Sequence, residues 1–208
     1  MHMPTKNEEP RRPDIAHDLV ERANASRLFR ERLTRGLLSH PEQQWGIHQE
    51  RANAGVLRRL FGQHEWPGLS LVGEDGAEAA WRLALHADHE PGLQRMALLL
   101  LAKAVEQGEA PIQHWAHLHD RTQVSAGQPQ QYGTQHRLAP GGEVTLLLVH
   151  DPASLDNRRN SVGLPPAAVA HEGLRRRYAR TQHDDPADAD PPHGHAPGAR
   201  AELVGSSA

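Results

Sequence analysis

The chain has 208 residues, 37% hydrophobic and 4% aromatic, with a mean hydropathy of -0.70 and a formal net charge of -3. That is room for one ordinary domain with tails, and a core drawn mainly from Leu, Ala and Val favours helices over strands. The absence of cysteine excludes disulfides, thiolate metal sites and cysteine nucleophiles.

Met1 to Pro13 is polar and charged, without the apolar run of a secretory leader, and reads as a disordered arm. Asp14 is placed to cap a first helix reaching about Leu38, with Ile15, Leu19, Ala23 and Leu28 near one face. A second helix spans about Pro41 to Gly62, and Glu65 to Gly73 reads as a loop around Trp66-Pro67. A third runs from Glu74 or Asp75 to Asp88. A fourth carries Pro91 in its first turn and, with Leu98 to Leu101 widening its apolar stripe, is expected to be the central buried helix. Its most apolar stretch is far short of the ~20 residues that span a bilayer.

A fifth helix is expected from Pro111 to about Val124, with Ile112, Trp115, Ala116 and His119 inward and His114 and Arg121 outward. One hairpin fits Thr134 to Leu138 and Val144 to Val149, around Pro140-Gly141-Gly142. Asp151 to Ser161 and Pro165 to Ala179 read as two final helices. The fold class expected is therefore mainly α: a single domain over residues 14–180 of about six to seven helices with one short β-hairpin. Residues 181–208 hold five acids and one base and no periodicity, so a disordered acidic tail is expected there, leaving a nearly neutral body. Such a body gives no electrostatic case for nucleic acid, and the expected setting is cytoplasmic, away from membranes.

Walker A, Rossmann, HExxH, GxSxG and kinase signatures are all absent. What stands out is polar residues in apolar settings. On a helical wheel Asp88 falls within the arc of Ala77, Ala80, Trp81, Ala84 and Ala87, at a helix end where the dipole disfavours an acid. It therefore either caps the fourth helix or serves a site, with His86 beside it as a second acid/base candidate. His86 with Glu90 or His89, and His114 with His117, have helical metal-ligand spacing. In a chain with 16 histidines such pairs arise by chance, and no metal site is assigned. Arg121, next to Asp120, could bind an anionic group. The segment Tyr132-Gly133-Thr134-Gln135 sets a phenol, a hydroxyl and an amide around a flexible glycine.

His86-Ala87-Asp88, Asp120-Arg121, Gln128-Pro129-Gln130, Tyr132-Gly133-Thr134-Gln135, Asp151-Pro152, Arg158-Arg159 and Val162-Gly163-Leu164-Pro165-Pro166 follow one another in this order. With Trp66-Pro67 and Leu71 to Gly76, they resemble a bacterial domain-of-unknown-function family over roughly Trp45 to Arg177. The resemblance implies that His86, Asp88, Asp120, Arg121, Tyr132, Gln135 and Arg159 are the positions to watch, and implies no chemistry, cofactor or named partner.

Two functions remain open from the residues. One is a ligand-binding or catalytic pocket at the helix ends and the Tyr132–Gln135 loop, with His86 and Asp88 as catalytic candidates. There Asp120, Arg121, Tyr132, Gln135 and Arg159 would be ligand-binding. The other is a non-enzymatic protein-interaction module in which the same residues tie the fold together.

Overall fold

The computed structural model describes residues 9–139, 143–183 and 202–205, and side chains over 9–139 and 143–178. Five long helices come first: α1 (Pro13–Thr34), α2 (His40–His64), α3 (Leu69–Leu85), α4 (Pro91–Glu106) and α5 (Ile112–Ser125). Strands β1 (Gln135–Leu138) and β2 (Val144–Leu146) follow. A 3-10 turn at Pro152–Ser154 then leads into α6 (Leu155–Ser161), α7 (Ala167–His183) and β3 (Glu202–Gly205). The mainly α class and the β1–β2 hairpin are as the sequence indicates, with His136 opposite Leu146 and Leu138 opposite Val144.

The helix ends show how local chemistry set them. α1 begins at Pro13, a residue suited to the first turn, and Arg12 holds the capping position. Asp14 is not the cap. Its carboxylate instead accepts 2.9 and 2.6 Å bonds from the Arg12 guanidinium. At the start of α2, Glu42 reaches back to the Ser39 N–H at 2.8 Å, satisfying a donor the helix leaves open.

α3 starts at Leu69, inside the expected loop, and is broken at Gly73 (φ 72°, ψ 179°), so its unbroken part begins where the sequence placed it. It stops at Leu85, and Asp88 lies beyond the helix rather than in its last turn. The tail also differs from expectation: α7 runs on to His183, and β3 pairs antiparallel with the free edge of β1, giving a sheet ordered β2-β1-β3. The remaining residues of the expected N-terminal arm and acidic tail, 1–8, 184–201 and 206–208, lie outside the described residues.

The central helix is α3, not α4. Ala79, Ala80, Trp81, Leu83, Ala84 and Leu85 are all buried. Their small side chains let α1 (Leu19), α2 (Leu57, Phe61) and α4 (Ala97, Leu101) approach from several sides. α4 has too many consecutive leucines to bury, and Leu99 is left 74% exposed.

The tightest approach is at Gly76, where a Cβ would sit 3.1 Å from the Ala16 Cα of α1 and 2.7 Å from the Val72 Cβ. Gly76→Ala gains about 1 kcal/mol of helix propensity. It must also push two helix backbones apart, so a net loss of about 1–2 kcal/mol is expected. Urea denaturation checks this, and a variant more stable than the parent would contradict the crossing described.

Candidate functional site

The seven marked positions converge. α5 brings Asp120 and Arg121, the α3–α4 link brings His86 and Asp88, the loop into β1 brings Tyr132 and Gln135, and α6 brings Arg159. The expected face of α5 is buried only in part: Ala116 is fully buried and Trp115 and His119 are half-buried. Arg121 and His117 are inward at 3% exposure, Ile112 is 38% exposed, and His114 stacks on Trp81 with ring centroids 4.1 Å apart. The wheel missed the inward His117 and Arg121 because buried polar residues leave no trace in an apolar-periodicity argument.

Asp120 is fully buried and faces no Lys or Arg within ion-pair distance among the described residues. Its carboxylate accepts the N–H groups of Gln131 (2.8 Å), Tyr132 (3.1 Å to each oxygen) and Thr134 (3.0 Å), and the Thr134 hydroxyl at 3.0 Å. The carbonyls of the same loop are taken by arginines. The Arg158 guanidinium donates to Gln131 O at 2.7 Å, and that of Arg159 to Tyr132 O at 2.6 Å and Gly133 O at 3.2 Å. Gln130, fully buried, accepts the Gln135 N–H at 2.8 Å and donates to Gln135 O at 2.9 Å. An irregular segment thus has its buried backbone groups satisfied by side chains where a ladder would otherwise serve. Gly133 sits at φ 61°, the left-handed region that favours glycine, with Leu155 packed beside it.

On the other side of α5, Arg121 grips Asp88 with both arms of its fork, Nε donating to Oδ1 at 2.8 Å and Nη2 to Oδ2. Its third contact is Gln135 Oε1 at 3.2 Å. Gln94 of α4, 1% exposed, donates to the same Asp88 oxygen at 3.2 Å and to Leu85 O at 3.0 Å. Asp88 caps nothing; the capping position of α4 is Glu90. Both Asp88 oxygens are committed to donors from α4 and α5.

His86 differs from the rest. Its Nδ1 is buried without a hydrogen-bond partner. Burial, and then the charges of Arg30, Arg121 and Arg82, push its pKa well below the usual histidine value, so the ring is neutral at pH 7. Tyr132 is half-buried against Trp115 and His119, at centroid distances of 6.1 and 6.0 Å, and its phenol is shifted upward by burial and by the Asp120 charge.

Gln94, Gln130, Thr134 and Arg158 complete the network; the last three stand in the motifs read from the sequence but outside the seven marked positions, and Gln94 stands in none. A glutamine or threonine carries no local signature of burial. Among the described residues no group of three or more His, Asp or Glu is placed to hold a metal ion, and no helix is long and apolar enough to cross a membrane. Cavities of about 230 and 190 Å³ lie elsewhere, the first among the end of α2, the start of α3 and the end of α4 and the second between α1 and α2, and none of the seven positions lines either.

No curated protein and no solved structure matches the chain. A family model does, over residues 13–179, which takes in every helix from α1 to the body of α7 and every member of the network. The chain belongs to the family of unknown function DUF6624.

Proposed function

We propose that this protein is a non-enzymatic interaction module whose buried polar residues are a structural clasp. The observation that carries this reading is the destination of their hydrogen bonds: Asp120, Arg121, Gln135 and Arg159 spend them on the chain's own loop and helix ends. A pocket would need some of these groups turned outward toward a ligand.

The surface for a partner is the end of the α1–α2 hairpin. Leu28, Leu37, Trp45 and Ile47 are exposed there, Trp45 at 65%. Arg27, Arg30, Arg32, Arg35 and Arg51 outnumber Glu31, Glu42 and Glu50 around them, so the fitting partner is a protein with an apolar patch rimmed by acids.

Two measurements test the reading. Asp88→Asn removes the counter-charge of the buried Arg121 and is expected to cost roughly 2–3 kcal/mol, less than for a fully buried pair because the Asp88 side chain is 42% exposed. An unchanged melting temperature contradicts the clasp. Photo-crosslinking from position 45 in the native host is expected to trap one acidic partner chain, with none from position 99. Equal or absent capture at both positions refutes the surface.

One observation favours the pocket reading instead, the neutral His86 ring with an unsatisfied nitrogen beside Asp88. Turnover or ligand retention lost in His86→Gln at unchanged stability would support it.

A further inference from the structure

A second feature of the molecule lies away from the clasp. The larger cavity, about 230 Å³, opens where the end of α2, the start of α3 and the end of α4 meet, and its walls include Arg11, Glu65, Trp66, Lys103 and Glu109. Trp66, only 6% exposed and stacked on Phe61 at 5.6 Å, gives it a rigid apolar side. The volume is below the range of drug-sized pockets, so an occupant must be small.

The backbone at its mouth is unusual. Glu65, the residue that ends α2, has φ 59° and ψ -131°, a conformation that glycine adopts without cost and that costs other residues about 1–3 kcal/mol. A glutamate held there against its own preference points to a need for the carboxylate.

The charges around it are of both signs and differ in how firmly they are engaged. Glu109 is committed to the fold: its carboxylate accepts the Ser70 N–H at 2.8 Å, and a Cβ at Gly68 would fall 2.7 Å from the Glu109 Cβ. Among the described residues Glu65 meets only the Lys103 ammonium, at 2.6 and 2.7 Å, in a pair whose side chains are 58% and 50% exposed. Such a pair opens at little cost. Arg11 meets neutral acceptors, the Ser70 carbonyl at 3.4 Å and its hydroxyl at 3.3 Å. Among the described residues, the cavity therefore holds one exchangeable carboxylate and one cation not neutralised by a carboxylate, set around an indole.

We propose that this cavity binds a small zwitterion of α-amino-acid size, its ammonium taken by Glu65 in exchange for Lys103 and its carboxylate by Arg11. The site uses none of the clasp residues, so it stands or falls independently of the interaction module.

The test uses the full chain and thermal unfolding. The probes are the standard α-amino acids, with acetate and ethylammonium as carriers of one charge alone. For a millimolar site at about tenfold excess, a rise in melting temperature of about 3–5 °C is expected from at least one amino acid and from neither control. Glu65→Gly is expected to raise the melting temperature of the free protein by a few degrees, through relief of strain, while losing the response to the amino acid. Glu65→Gln, which keeps the backbone strained, and Arg11→Gln must lose that response too. No response to any amino acid, an equal response to acetate, or a response surviving in these variants overturns the proposal.

Discussion

Asp120→Asn is expected to cost roughly 3–5 kcal/mol, the largest loss from any single substitution in the clasp, and to lower the melting temperature by about 10 °C. The carboxylate is an acceptor at every position, and its environment offers only donors: three backbone N–H groups and the Thr134 hydroxyl. An amide of the same shape must turn an NH2 toward at least one backbone N–H, leaving two buried donors facing each other. The loss reaches beyond the side chain, because the same loop carries the carbonyls that satisfy Arg158 and Arg159 and the backbone that feeds β1. Thr134→Val, which removes one donor and leaves the carboxylate with the others, is expected to cost only about 1 kcal/mol. Urea titration of the two variants separates these values. Near-equal losses would mean that the loop is held by packing and not by the carboxylate.

The sequence carried the helices and the membership of the site better than it carried the roles. Leucine and alanine periodicity located α1 to α5 within a few residues, because helix faces against an apolar core leave that trace. It misread α4 as central, since four consecutive leucines look buried from the sequence, while Leu99 is exposed for want of a fourth neighbour. It located only part of the buried face of α5, for the opposite reason. The inward His117, Asp120 and Arg121 are polar, and their burial depends on partners in the Tyr132 loop more than ten residues away. Asp88 stands out in the sequence as an acid out of place, and its partner in the fold is Arg121. No local pattern could supply that choice of arginine, because it follows from where α3 stops and how α5 crosses behind it. The tail shows the limit of composition arguments from the other end. Glu202 to Gly205 looked like more of the same low-complexity segment, and the open edge of β1 gives them a strand partner.

Acid is expected to destabilise the protein well before its carboxylates titrate. His117 and His136 are buried, at 3% and 1% exposure, and burial lowers the pKa of each from 6.5 to about 4. His114, stacked on Trp81, is lowered to about 4 by the same cause. The charges that bear on these rings partly oppose one another: Asp120 favours protonation of His117, whereas His114, Arg159 and His136 resist it. His171 and Arg159 likewise resist protonation of His136.

Because the folded value lies below the unfolded one, the unfolded chain takes up protons first. The stabilisation is therefore whole above pH 6.5 and is lost as the pH falls toward 4. For a fully buried ring such as His117 the change is roughly 3 kcal/mol over that window, a large part of the stability of a domain this size. Denaturant titrations at steps between pH 7 and 4 are expected to show a falling midpoint, and His117→Gln and His136→Gln each to flatten the fall. Trp81 provides a built-in reporter, since protonation of the stacked His114 ring alters its fluorescence as the fold opens. A constant midpoint from pH 7 to 5 would mean that the rings are hydrated in solution, contrary to the packing of α5 against β1. A fall that begins only below pH 4 would assign the acid sensitivity to groups other than these histidines.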